Sequence, residues 1–161
     1  MSIQSISNEF IDYYNAAIKE IQEKGQQKLK EVFKLFWESN PNVHLVMWTQ
    51  YTPYYNDGDV CEFSVGEILF SNLADSAEYK NIDYDNYEGD LENIWIYSEW
   101  DVCQNDKNIK DSERMNFDMA KDLTNFLDSK TMKDVLELLF EDHVKVFATR
   151  EGFTVVGYEH S

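Results

Sequence analysis

Val43-His44-Leu45-Val46-Met47-Trp48-Thr49-Gln50-Tyr51-Thr52-Pro53-Tyr54-Tyr55-Asn56-Asp57-Gly58-Asp59-Val60-Cys61-Glu62-Phe63-Ser64-Val65 reads as strand, loop and strand. Its first run decides the fold. Successive side chains of a strand point to opposite faces, so Val43, Leu45 and Met47 share one face while Val46 and Trp48 share the other. With both faces partly apolar, the run from Val43 to Tyr51 belongs inside a sheet. After the loop, Val60 to Phe63 alternates, with Cys61 and Phe63 opposite Val60 and Glu62. Ser64 to Phe70 continues that strand, and Gly66 marks a place for a bulge.

Upstream, the spacing predicts a helix from about Ser7 to Ser39. Phe10, Tyr13, Tyr14, Ala17, Ile18 and Ile21 recur every three or four residues, and Leu29, Val32, Phe33, Phe36 and Trp37 resume the stripe beyond Gly25. Ser5 or Ser7 can cap its start, and Asn40-Pro41 ends it because proline disfavours helical dihedrals in the residue before it. Downstream, Asn93 to Trp100 offers another strand. A helix is predicted from about Ser112 to Asp128, and a second with Thr131 and Asp134 in capping-box positions before Val135, Leu136, Leu138, Leu139 and Phe140. Val144–Thr149 and Phe153–Tyr158 close the chain as a hairpin, with Gly152 placed where its short turn needs a left-handed residue. The order is α-β-β-β-α-α-β-β. It predicts a single α+β domain over residues 1–161: an antiparallel sheet of about five strands with helices on one face.

Composition bounds the function. The 161 residues are 43% hydrophobic and 15% aromatic, enough for a folded core despite a net charge of −17. Residues 1–50 hold six acids against five lysines, whereas residues 51–100 hold twelve acids against Lys80 alone, a balance of −11. A surface this acidic repels nucleic-acid phosphates, so direct nucleic-acid binding is excluded and a basic protein or a cation suits it better. No apolar run is long enough to span a membrane. Residues 1–10 have neither the basic start nor the apolar core of a signal peptide, so the expected location is the cytoplasm, with Cys61 and Cys103 reduced.

The segment Trp48-x-Gln50-Tyr51-x-Pro53-Tyr54-Tyr55-Asn56-Asp57-Gly58-Asp59-x-Cys61-x-Phe63-Ser64-Val65 resembles the signature of a family of short, acidic bacterial and phage-encoded proteins. That family has no established function, so the resemblance implies fold boundaries over most of the chain and no activity. Its members end in a Glu-Tyr-Asp-His-like tail, and this chain departs from it with Gly157-Tyr158-Glu159-His160.

Two surfaces are candidates for binding. In the loop, Gln50, Tyr54, Tyr55, Asp57 and Asp59 exceed what a turn needs, and Tyr54 and Tyr55 after Pro53 are expected at the surface. Residues 72–92 read as an exposed acidic loop in which Asp83, Tyr84, Asp85, Tyr87, Glu88 and Asp90 interleave rings with carboxylates. Together they suggest a small protein-binding module, an inhibitor of the immunity or phage counter-defence type, docking on a basic or nucleic-acid-binding partner. The alternative is a cation- or small-ligand-binding domain built on residues 50–62, since Asp57, Asp59 and Glu62 offer oxygens to a hard cation. Aligning Gly58 with the glycine of a helix–loop–helix calcium site puts Pro53 and Ser64 where acids are required, and turn chemistry alone explains Asn56-Asp57-Gly58-Asp59. A hydrolase using Asp57, Asp59 or Cys61 is a weaker third reading. Cys61 is expected on an apolar face and Cys103 as easily in the core, and His44, His143 and His160 lack metal-site spacing. No cofactor, metal ligand or catalytic residue is therefore assigned.

Overall fold

A computed structural model of the protein describes residues 2–54, 58, 60–81, 93–104 and 114–159. Among these residues, five helices and six strands follow in the order α1 (Ile3–Ser39), β1 (Leu45–Tyr51), β2 (Ser64–Val65), β3 (Leu69–Ser71), α2 (Ser76–Tyr79), β4 (Ile96–Tyr97), α3 (Glu99–Gln104), α4 (Phe117–Leu127), α5 (Lys130–Phe140), β5 (Val144–Thr149) and β6 (Gly152–Gly157). The fold is α+β. Its sheet is antiparallel with the order β4-β3-β1-β5-β6, and β2 pairs with the far end of β1. β1 is central, flanked by β3 and β5, as its two apolar faces require.

On one face Val46, Trp48, Phe70, Val146 and Ala148 meet the second half of α1 together with α4 and α5. Trp48 is fully buried there, its ring 6.2 Å from Phe33 and 6.3 Å from Phe140. Burying a side chain of this size contributes about 1.5–3 kcal/mol. The opposite face is covered more thinly: Leu45, Met47 and Phe147 pack with Leu73 and Tyr79, the last donated by α2. Residues 72–81, expected within an open loop, instead fold back through a short helix capped by Asp75, whose carboxylate accepts the Ala77 N–H at 2.8 Å. The helices thus lie on one face except for α2.

The other departures from expectation are local. Pairing after the loop begins at Ser64 rather than Val60, and Gly66 to Ile68 break the ladder between β2 and β3. The Ile68 N–H, left over by this break, donates to Glu99 Oε1 at 2.8 Å. The run predicted as one strand over 93–100 pairs only at Ile96 and Tyr97, because Ser98 and Asp101 form a capping box that starts α3. α1 starts earlier than expected. The Ser2 hydroxyl accepts the Ser5 N–H at 3.1 Å and the Ser5 hydroxyl accepts the Ser2 N–H at 3.3 Å. α5 is capped by Ser129, not Thr131.

Arg150 ties the closing hairpin to the end of α1. It donates to Val43 O at 2.6 Å and Asn40 O at 3.0 Å and lies 5.1 Å from the centre of the Trp37 ring. Burial, and then the neighbouring Arg150 charge, lower the proton affinity of His44, leaving Nδ1 to accept from Arg150 at 3.0 Å. Asn40 is buried and completes the knot: its amide donates to Phe36 O and its oxygen accepts the Asn116 N–H.

Candidate functional site

The last inward-facing residue of β1 is Gln50. Its side chain is fully buried, so it belongs to the interior and not to the contact surface predicted for it. Gln50 Oε1 accepts the Trp48 indole N–H at 3.0 Å, while Nε2 donates to Leu136 O at 2.9 Å and Glu141 O at 2.7 Å. The amide thereby joins the end of β1 to the end of α5. A buried polar group is tolerated when it is satisfied in this way.

Beyond Gln50 the chain meets the α5–β5 connection, Glu141-Asp142-His143. Glu141 has φ 75° and ψ −176°, and His143 has φ 56°. Glutamate in the first of these regions is strained by about 1–3 kcal/mol, so neighbouring contacts must hold it. They come from Gln50 and Thr52. The Thr52 N–H donates to Asp142 Oδ1 at 2.7 Å and its hydroxyl donates to Oδ2 at 2.6 Å, while the His143 N–H donates to Oδ1 at 2.8 Å. Burial would raise the Asp142 carboxyl, but the Thr52 and His143 hydrogen bonds and the adjacent imidazole outweigh it and hold the group below its ordinary range. Both carboxylate oxygens are committed, so Asp142 is an anchor for the connection and poorly placed to act as a base.

Tyr54 sits over this connection. Its ring stacks on His143, with centroids 5.0 Å apart at 17°, and the residue is 67% exposed. Nearby, Tyr51 and Tyr158 pack at 5.5 Å and the Lys145 ammonium lies 5.3 Å from the Tyr158 ring. Of the loop residues predicted for binding, Tyr54 is at the surface and Gln50 is not. Tyr55, Asp57 and Asp59 lie outside the described residues, as do Asp83, Tyr84, Asp85, Tyr87, Glu88 and Asp90. Glu62 and Glu67, which flank β2, are exposed, and so are Asp75 and Glu78 around α2.

Thr52, Glu141, Asp142 and His143 were not singled out by sequence. Their partners lie about ninety residues apart along the chain, and Glu-Asp-His carries no glycine to announce positive φ. Cys61 is half-buried and Cys103 is exposed, contrary to the core position allowed for Cys103. Glu99 is raised by burial, against the lowering effect of its Ile68 hydrogen bond. Among the described residues no cluster of three or more His, Cys, Asp or Glu side chains is arranged to hold a metal, and no helix is long and apolar enough to cross a membrane. Comparison with protein-family models, with curated proteins and with solved structures gave no match to the chain.

Proposed function

We propose that this protein is an acidic protein-binding module that docks on a basic or nucleic-acid-binding partner and occupies the cleft where that partner takes a polyanion. The observation that carries this reading is the balance of −11 within residues 51–100. Glu62, Glu67 and Glu78 in that third are exposed and pair with no cation among the described residues, so their field points outward. Such a field steers a cationic surface into register and speeds encounter. Tyr54, stacked on His143 at the same end of the sheet as Glu62, adds a rigid apolar contact of the kind that anchors interfaces.

The test begins with a partner recovered by affinity capture and then purified, with affinity measured by calorimetry. Asp83→Asn, Asp85→Asn, Glu88→Gln and Asp90→Asn together should weaken binding at least tenfold. Affinity should also fall steeply between about 0.05 and about 0.5 M salt as the Debye length shortens. Affinity indifferent to both the charge removal and the salt would overturn the reading.

A further inference from the structure

α1 is much longer than the body it packs on. Its buried residues, Leu29, Phe33, Phe36 and Trp37, all lie in its second half, while Ser2 through Ala16 are exposed throughout. At about 1.5 Å per residue, the stretch from Ile3 to Ile21 carries its side chains along roughly 28 Å of helix. That stretch is not polar. Ile3 is 87% exposed, Phe10 68% and Tyr14 59%, and Ile6, Ile11, Tyr13 and Ile21 are exposed as well. With up to about 200 Å² on each large side chain, the seven present on the order of 900 Å² of surface, against about 800 Å² per partner in a stable interface. A monomer rarely leaves so large an apolar patch in water.

We infer that the projecting half of α1 is a homodimerisation arm, which pairs antiparallel with the same arm of a second copy about a two-fold axis at Tyr14. The sequence of the arm is complementary in size about that residue. Residues equally spaced before and after Tyr14 fall opposite one another, which sets Ile3 against Gly25, Ser7 against Ile21, Ile11 against Ala17 and Phe10 against Ile18. Two of these pairs, Ser7 with Ile21 and Ile11 with Ala17, oppose a large side chain to a small one, so the helices can approach closely there. None of these facing positions carries a charge that pairing would bury. The far end of each arm also meets a fitting surface. A groove of about 490 Å³, lined by Ala17, Ile21, Gly25, Val32, Met132 and Leu139, continues the apolar stripe toward the body, and Ile3, Ile6 and Phe10 of the second copy would enter it. A lipid surface is a poor occupant, because the arm lacks the lysine- and arginine-rich polar face that draws a helix to acidic headgroups. The inference is independent of the acidic surface, and either can fail without the other.

Sedimentation equilibrium of the full chain at tens of micromolar should give twice the monomer mass of 19.0 kDa, and Phe10→Lys should return it to the monomer. Phe10 is exposed in the monomer, so this change leaves the core intact, and a retained cooperative melt verifies folding. In a Cys61→Ala, Cys103→Ala background, Tyr14→Cys should oxidise to a linked dimer while Ser7→Cys should not. A monomeric wild type overturns the proposal, as does a dimer indifferent to Phe10→Lys, and equal cross-linking at both positions overturns its register.

Discussion

Gln50 sits on a sheet face lined otherwise by Val46, Trp48, Val146 and Ala148, and its amide meets three partners there. In Gln50→Leu the Trp48 indole N–H and the Glu141 carbonyl lose their partner inside the protein. Each buried group left so costs about 1–3 kcal/mol, and the strained Glu141 loses a contact that holds it. Unfolding followed by heat and by urea should show a loss of about 2–4 kcal/mol, or roughly 5–15 °C in melting temperature for a chain of this size. An unchanged melting temperature would remove Gln50 from the framework. Its role was illegible along the chain because Leu136 and Glu141 are 86 and 91 residues away, and a glutamine beside an aromatic loop reads as surface. Tyr54 is the opposite case. The constraint of Pro53 and the polar turn after it were enough to place that ring outside.

At the scale of elements, α1 and the closing hairpin were legible because their signals are local. Spacing of apolar residues, a proline after Asn40 and the positive φ of Gly152 act within a few residues of the boundary they set. The interior of α1 is a tertiary matter. A Cβ placed on Gly25 would lie 2.7 Å from Leu139 Cδ2, so the Leu139 side chain packs into the space that a side chain at Gly25 would take. Along the sequence, Gly25 only marks where the apolar stripe breaks off before Leu29 resumes it. Gly25→Ile should separate the helices and cost about 1–3 kcal/mol as an overpacked core does, and Leu139→Ala should recover part of that loss. Denaturation of the two single variants and the double variant checks the coupling. Strictly additive losses would mean that the two residues do not share the contact.

For the whole molecule, the charge of −17 works against compactness, since like charges brought together by folding repel. Added sodium chloride screens that repulsion, so the melting temperature at fixed protein concentration should rise by several degrees between about 0.02 and about 0.5 M salt. A flat or falling response would mean that the acids are already compensated. The sequence by itself determined the α+β class, the central place of β1, the hairpin and the acidic middle third. These follow from periodicity, turn residues and composition, which are properties of neighbouring residues. Only the tertiary structure decided that Gln50 is interior, that Thr52 and Tyr54 meet Asp142 and His143, that residues 72–81 return to cover the second face, and that the apolar residues of the first half of α1 stay exposed. Those outcomes depend on which surfaces meet across the chain, and the pattern along a single segment does not specify its neighbour.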